Sequence, residues 1–173
     1  TNDGVHLKED GYKIWRDEVA KYVAPGMTFT DGELYPIDND DIVMLGGTLV
    51  GYAEWHELMD MPNVKTRSLG DVCDYIHASA KKYAAGKPKK MVMLSSYNHD
   101  KNNKKVNVSA NFSVDTIVIS MEKAIKTVKE VSPETEIILQ SIIPVNSSYE
   151  KYAQFKEAGK KLKKANKELK KLA

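Results

Sequence analysis

The stretch DIVMLGG (residues 41–47) decides the fold, because it is a short apolar run that ends in two glycines. Apolar runs of about four to eight residues with turn residues at their ends are typical of strands buried on both faces. Three more strands are predicted, at residues 63–69, 89–97 and 136–143. The strands are apolar runs rather than alternating patterns, so they predict a parallel sheet covered on both faces.

Helical patterns separate these strands. Apolar residues at spacings of three and four, beginning with Tyr12 and Trp15, predict a helix over residues 10–23. Further helices are predicted at residues 53–59, 71–85 and 113–131, and in a lysine-rich stretch from about residue 151. Since strands alternate with helices, the sequence predicts a three-layer α/β/α sandwich with a mainly parallel, flavodoxin-like sheet.

Length and composition indicate one soluble globular domain. The chain has 173 residues, of which 42% are hydrophobic and 29% charged, and no apolar run approaches the length of a membrane span. Its single cysteine, Cys73, supports neither a disulfide nor a cysteine-based metal site. We therefore expect no metal, no cofactor and no membrane span. No signal peptide is visible, so we expect a bacterial-type cytoplasmic protein, or an exported one whose signal peptide is absent from this chain.

The positive charge is concentrated at one end of the chain. Residues 151–173 hold nine lysines and two glutamates, a local charge of +7, whereas the whole chain carries +2. The apolar residues of this stretch recur at helical spacing, and no aromatic ladder accompanies the lysines. The lysines are therefore interpreted as the solvated faces of an amphipathic helix, and no nucleic-acid partner is expected.

Residues that can carry chemistry follow the predicted strands. In open α/β sheets, ligands bind beyond the carboxyl ends of the strands. The first strand runs into GGTLVGY (46–52), the second into LGD (69–71) and the third into SSYNHD (95–100). A fourth motif, TNDGVHL (1–7), places Asp3 three residues before His6. A carboxylate can orient an imidazole that then acts as a base.

These four motifs resemble those of the SGNH (GDSL) hydrolases, a family of esterases and lipases. The similarity is greater to the acetylesterase and platelet-activating-factor acetylhydrolase-like branch, whose segments are resembled by residues 1–15, 63–72 and 113–146. The most specific likeness is DGVHL (3–7) followed by GYKIW (11–15), which looks like a family hallmark. The resemblance covers most of the chain. It implies the same α/β/α fold and ester hydrolysis.

Carried over residue by residue, the resemblance implies a role for each motif. Thr48 stands where the family has its nucleophilic serine, in a Gly-Gly-Thr sequence instead of Gly-Asp-Ser. His6 would be the base, and Asp3 would orient it. The backbone N–H groups of Thr48 and Gly70, with the side-chain amide of Asn98, would form the oxyanion hole.

The order of the motifs differs from that of the family. There the serine motif comes first and Asp-x-x-His last, whereas here Asp3 and His6 come first. A circular permutation and a cut through tandem domains would both produce this order. We expect a single domain over residues 1–173, made of an Asp-x-x-His segment (1–23), a connecting loop (24–40) and the main α/β body (41–173).

The last strand of the family is not found in its usual position. GMTFTDGELYP (26–36) faintly resembles that strand, displaced to follow the histidine helix. If the strand is missing instead, one sheet edge is left exposed. An exposed edge favours pairing with a second chain, as a homodimer or a domain swap.

Ester hydrolysis is the function that these motifs predict: removal of a small acyl group such as acetyl from a carbohydrate or related small-molecule ester. Threonine in place of serine would impair it, because the extra methyl group restricts χ1 and crowds the attacking oxygen. The alternative is a non-catalytic binding or structural protein on the same fold. A third hypothesis is a nucleotide or flavin binder, although GGTLVGY lacks the Gly-Lys-Ser/Thr ending of a phosphate-binding loop.

Overall fold

The computed structural model describes residues 8–23, 25–26, 36–68, 76–95, 113–144, 146, 148 and 152–173. The elements among these residues are, in chain order, α1 (Glu9–Val23), β1 (Ile42–Gly46), α2 (Thr48–Gly51), α3 (Trp55–Leu58), β2 (Val64–Ser68), α4 (Ile76–Ala84), β3 (Lys90–Leu94), α5 (Val114–Val131), β4 (Glu136–Gln140) and α6 (Tyr152–Leu169). The chain divides into two compact units, Thr1–Pro36 and Ile37–Ala173. The single-domain organisation over residues 1–173 remains a prediction.

The first unit contains α1, which confirms the helix predicted over residues 10–23. The rings of Tyr12 and Trp15 stack with their centroids 6.4 Å apart. These two side chains lie on the same face of the helix as Val19 and Tyr22, as the spacing predicted, and all four are exposed.

The second unit is built on four parallel strands in the order β2-β1-β3-β4. Ile42 of β1 is in register with Val64 of β2 and with Lys90 of β3, which is in register with Glu136 of β4. This order is the beginning of the flavodoxin-like order, so the predicted fold class is confirmed. Most of the candidate fifth strand, residues 27–35, lies outside the described residues.

One face of the sheet carries the larger core. Val43 and Leu45 of β1 and Met91 and Met93 of β3 are fully buried there. They pack against the apolar faces of α4, α5 and α6, for example against Met121. Successive side chains of a strand point to opposite faces, so these alternate residues all point to the face with the larger core.

The opposite face carries a smaller core under two short helices. Met44 of β1, Val64 of β2 and Leu94 of β3 are buried with Val50 of α2. Trp55 of α3 packs against this group and donates its indole N–H to the carbonyl oxygen of Val50 at 2.8 Å. Helices therefore lie on both faces of the sheet, as predicted.

Several elements differ in length from the prediction. The single helix predicted over residues 53–59 is α3, and α2 before it was not predicted, because four residues are too few to show helical periodicity. The strand predicted over residues 136–143 ends at Gln140, which is in register with Leu94, the last residue of β3. Beyond that point, Ile142 forms hydrogen bonds with the side chain of Asn166, at 2.8 Å for both its N–H and its carbonyl.

Capping and turn chemistry fixes the ends of α5. Ser113 is the N-cap residue, as predicted, and its side chain accepts a hydrogen bond from the N–H of Thr116. After α5, the buried hydroxyl of Thr135 donates to the carbonyl oxygen of Pro88 at 2.7 Å and lies 2.7 Å from Ser132 Oγ. This pair of contacts joins the turn before β4 to the residues before β3.

The variant Thr135→Val tests this connection. It keeps the shape of the side chain but leaves the carbonyl of Pro88 and the hydroxyl of Ser132 without their partner. We expect the free energy of unfolding, measured by urea denaturation, to fall by about 1–3 kcal/mol. Thr127→Val, a matched exchange at a half-buried position of α5, is expected to change it by less than about 0.5 kcal/mol. Equal losses in the two variants would contradict the proposed importance of Thr135.

Candidate active site

Thr48 lies at the carboxyl end of β1. The strand ends at Gly46, Gly47 follows as the N-cap residue of α2, and Thr48 is the first residue of that helix. All four strands are parallel, so their carboxyl ends meet at one edge of the sheet. Thr48 is half-buried at that edge, which is where ligands bind in open α/β sheets.

The turn that carries Thr48 is held by backbone hydrogen bonds. The carbonyl oxygen of Gly47 accepts from the N–H of Val50 at 2.9 Å and from that of Gly51 at 3.4 Å. The carbonyl oxygen of Thr48 accepts from the N–H of Tyr52 at 3.1 Å. Gly47 is extended, with φ −75° and ψ −164°, and provides no side-chain cap. The strand therefore passes into α2 within one residue.

Two glycines allow this turn to pack closely against neighbouring strands. A methyl group at Gly46 would lie 2.7 Å from Val50 Cγ2 and 2.8 Å from the carbonyl oxygen of Leu94. A methyl group at Gly51 would lie 2.6 Å from Ser68 Oγ and 2.7 Å from Ser68 Cβ. Such distances are shorter than van der Waals contact. Glycine is therefore required at both positions because there is no room for a side chain, and not because of the backbone dihedral angles.

Two serines flank the strand that leads to Thr48, and the sequence interpretation did not single them out. Ser68 is the last residue of β2, in register with Gly46, and its hydroxyl donates to the carbonyl oxygen of Gly47 at 3.4 Å. Ser95 follows β3 directly and is buried, only 3% exposed. The signal that could have identified them is their position, because each serine lies within two residues of the end of a predicted strand.

The other predicted site residues lie outside the described residues. They are the base His6, its partner Asp3, and the oxyanion donors Gly70 and Asn98. Of the predicted set, the structure therefore locates Thr48 alone. The roles assigned to all five residues remain predictions.

The described residues around Thr48 offer hydroxyl and backbone groups. Serine and threonine hydroxyls do not ionise near neutral pH, so a nucleophile at this edge needs a separate base. Among the described residues, no three His, Cys, Asp or Glu side chains lie close enough together to bind a metal ion. In the same part of the chain, no helix is both long and apolar enough to cross a membrane.

The contact between Gly51 and Ser68 is testable by a double-mutant cycle. We expect Gly51→Ala to lower the free energy of unfolding by about 1–3 kcal/mol, because the new methyl group overlaps the Ser68 side chain. Ser68→Gly removes both overlapping atoms and should restore part of the loss.

Gly46→Ala serves as the control in this cycle. Its closest fixed neighbour is the backbone carbonyl of Leu94, which no side-chain replacement removes. Ser68→Gly should therefore leave the loss in Gly46→Ala unchanged. If the changes in unfolding free energy of Gly51→Ala and Ser68→Gly, measured by urea denaturation, simply add in the double variant, the close contact between Gly51 and Ser68 is refuted.

No family model matches the chain, and no curated protein matches it. Solved structures do match. One, described as a "putative platelet activating factor" from Streptococcus pneumonia, has a TM-score of 0.59 and 19% sequence identity, and the match covers 96% of this chain and 71% of that chain. Another, described as a "putative GDSL-like lipase" from Parabacteroides merdae, has a TM-score of 0.46 and 14% identity, and the match covers 79% of this chain and 78% of that chain.

These comparisons bear on the fold. At 19% identity, the likeness to the Streptococcus pneumonia protein shows that the fold is shared, and the second match is too distant to carry an argument. The α/β fold that the SGNH resemblance implied is confirmed in this way. The acetylesterase-like branch and the permuted motif order remain predictions. The chain shares the fold of the Streptococcus pneumonia protein.

Proposed function

We propose that the protein is an ester hydrolase of the SGNH (GDSL) type that removes a small acyl group, such as acetyl, from a carbohydrate or related small-molecule ester. The observation that carries the proposal is the position of Thr48. It begins α2, with only Gly47 between it and the end of the inner strand β1, at the carboxyl edge of a parallel sheet, in the place where the resemblance puts the nucleophile. The acyl group and the alcohol are assigned from the resemblance alone.

In the proposed first step, the hydroxyl oxygen of Thr48 attacks the acyl carbon of the ester. Neutral His6 takes the hydroxyl proton, and Asp3 keeps the imidazole in the required tautomer. The carbonyl oxygen of the ester becomes an oxyanion. The N–H groups of Thr48 and Gly70 and the amide of Asn98 donate to it, and each such donor is worth about 10²–10³ in rate.

The second half of the reaction returns the enzyme to its starting state. Protonated His6 gives its proton to the leaving alkoxide, so the alcohol departs and the acyl group stays on Thr48. Water then attacks the acyl carbon while His6 takes a proton from it. The carboxylic acid is released and the threonine hydroxyl is restored by the same proton.

Assays of Thr48 variants with a short-chain p-nitrophenyl ester test the nucleophile. Thr48→Ala should lower kcat by about 10² or more, whereas Thr48→Ser should raise it, because serine lacks the methyl group that crowds the attacking oxygen. Ser68→Ala, which removes the neighbouring hydroxyl, should leave kcat within about threefold of the unaltered protein. Unchanged activity in Thr48→Ala would rule out Thr48 as the nucleophile.

The pH dependence of kcat/KM tests the base. If neutral His6 takes the proton, kcat/KM should rise with pH as the imidazole loses its proton. His6→Gln should abolish this rise together with most of the activity. His77→Gln, an exposed histidine of α4, is the control and should preserve both. A profile that is flat in the unaltered protein would exclude a histidine base.

A non-catalytic protein on the same fold is the second candidate. It is favoured by one observation: Thr48, which replaces the serine of the family, is β-branched and half-buried in a tight turn. No ester hydrolysis by the unaltered protein, with activity gained in Thr48→Ser, would indicate a site whose geometry is retained without a competent nucleophile. No activity in either protein would favour the non-catalytic function.

A further inference from the structure

The helix α2 is a single turn that depends on its surroundings. A turn of four residues is unfavourable on its own, because many backbone dihedral angles are fixed for few hydrogen bonds. Its N-cap residue, Gly47, provides no side-chain hydrogen bond. Val50 is 1% exposed and packs in the smaller core with Met44 and Leu94. Contacts with the rest of the fold therefore supply the stability that the turn itself lacks.

The indole of Trp55 contacts α2 near its carboxyl end. Trp55 is the first residue of α3, and its ring N–H donates to the carbonyl oxygen of Val50 at 2.8 Å. Carbonyl groups in the last turn of a helix have no partner within that helix, so a donor from outside completes the turn. The ring is half-buried and packs against the smaller core. Its direction is therefore fixed by packing as well as by the hydrogen bond.

Backbone hydrogen bonds attach α3 to the sheet. The N–H of Met59 donates to the carbonyl oxygen of Trp55 at 3.0 Å. The N–H of Met61 donates to the carbonyl oxygen of His56 at 2.9 Å. The N–H of Val64, the first residue of β2, donates to the carbonyl oxygen of Met61 at 3.1 Å. Trp55 therefore connects α2 to a part of the chain that is held by the sheet.

Val50 transmits this connection to Thr48. Its carbonyl oxygen accepts from Trp55, and its own N–H donates to the carbonyl oxygen of Gly47 at 2.9 Å. The N–H of Gly51, which belongs to the same peptide group as the Val50 carbonyl, also donates to Gly47, at 3.4 Å. The Gly47 carbonyl shares its peptide group with the N–H of Thr48, and the two point in opposite directions in a trans peptide. Fixing the carbonyl of Gly47 therefore fixes the direction of the Thr48 N–H.

The same chain of contacts affects how strongly the Thr48 N–H donates. A hydrogen bond to a carbonyl oxygen polarises its peptide group, and chains of such bonds strengthen one another by about 10–30% per bond. Ser68 also donates to the carbonyl of Gly47, but its hydroxyl is exposed and 3.4 Å away, so water can take its place. Water replaces the half-buried indole of Trp55 less readily.

We infer that Trp55 is a positioning residue of the proposed active site: through Val50, its indole N–H holds the backbone N–H of Thr48 in the direction of an oxyanion donor. The role rests on the proposed ester hydrolysis, in which that N–H stabilises the negative charge on the carbonyl oxygen of the ester. An oxyanion donor acts in the transition state and not on the bound ester. Loss of its alignment therefore lowers kcat and leaves KM nearly unchanged.

Two replacements at position 55 test the role by removing the indole N–H. Trp55→Phe keeps an aromatic ring in the smaller core, and benzothienylalanine introduced at position 55 keeps the bicyclic shape with sulfur in place of the N–H. With a short-chain p-nitrophenyl ester, both should lower kcat by about tenfold and change KM by less than about threefold. The loss is smaller than the ~10²–10³ expected for removal of a donor, because the Thr48 N–H is displaced and not removed.

A thionoester of the same acid and alcohol reports on the oxyanion directly. Sulfur replaces the carbonyl oxygen in this ester, and sulfur accepts hydrogen bonds only weakly. We expect the ratio of the two kcat values, ester over thionoester, to fall by about threefold or more in Trp55→Phe. A loss of folded protein alone lowers both rates equally and leaves the ratio unchanged.

Met61→Ala is the matched control for packing. Met61 packs against the same core as Trp55, but its side chain has no hydrogen-bond donor. The variant should lower the midpoint of urea unfolding, because a large side chain is lost from the edge of a core. Its kcat and its ester-to-thionoester ratio should stay within about twofold of those of the unaltered protein.

Hydrogen exchange of backbone amides, followed by NMR, measures the turn without relying on activity. The N–H groups of Val50 and Tyr52 donate to the carbonyl oxygens that close α2. In Trp55→Phe, these two amides should exchange with solvent about tenfold faster, because the turn opens locally. The amide of Leu45, within β1, should keep its exchange rate.

The outcomes separate the role of Trp55 from the proposed function. If the unaltered protein hydrolyses the ester and Trp55→Phe retains both kcat and the ester-to-thionoester ratio, the role of Trp55 is excluded while the proposed function stands. An equal fall of kcat in Met61→Ala would mean that Trp55 acts through packing alone. If neither the unaltered protein nor Thr48→Ser hydrolyses the ester, the proposed function fails and the catalytic role of Trp55 fails with it. Unchanged exchange of Val50 in Trp55→Phe would show that the indole does not hold the turn.

Discussion

The parallel pairing of β1 with a strand on each side is the constraint on which the rest of the described body depends. It removes both edges of β1 from solvent, while helices on the two faces bury Val43 and Leu45 on one side and Met44 on the other. A strand enclosed in this way must be apolar along its whole length. It also brings the carboxyl ends of β2 and β3 to the same level as its own, where the candidate site lies.

The end of β1 shows how close packing and chemistry are coupled. Gly46 and Gly51 lie so near Leu94 and Ser68 that neither position has room for a methyl group. The turn between them presents Thr48 at the edge of the sheet. Precise placement of this kind is what a nucleophile requires, because a displacement of about 1 Å can cost ~10² in rate. At the same position, threonine is β-branched, which restricts its χ1 angle. Geometry and residue type therefore act in opposite directions on the proposed activity.

The two outer strands of the described sheet, β2 and β4, differ in the residues they carry. β2 carries Lys65 and Arg67 and is overlaid by α2 and α3, whereas the middle of β4 is apolar. After the end of β4, the side chain of Asn166 binds the backbone N–H and carbonyl of Ile142. The amphipathic helix α6 has two different faces near the end of β4. Its apolar face, with Leu162 and Leu169, completes the core, and three of its lysines line a groove between α6 and the end of β4. Lys163, Lys167 and Lys170 are exposed, as the interpretation of the lysines as a solvated face predicts.

Much of the fold was determined by the sequence alone. The apolar run at residues 41–47 and the helical stripes define element type locally, since burial on two faces or on one face imposes a characteristic spacing of apolar residues. The resemblance of the motifs singled out Thr48 before its position was known. What the sequence could not provide was whatever depends on contacts between distant residues. The strand order, the early end of β4 at the last partner residue of β3, and the short helix α2 all belong to this class. So do the hydroxyls of Ser68 and Ser95 beside the candidate site and the groove between β4 and α6, because pairing and packing across the chain, and not local spacing, bring those residues together.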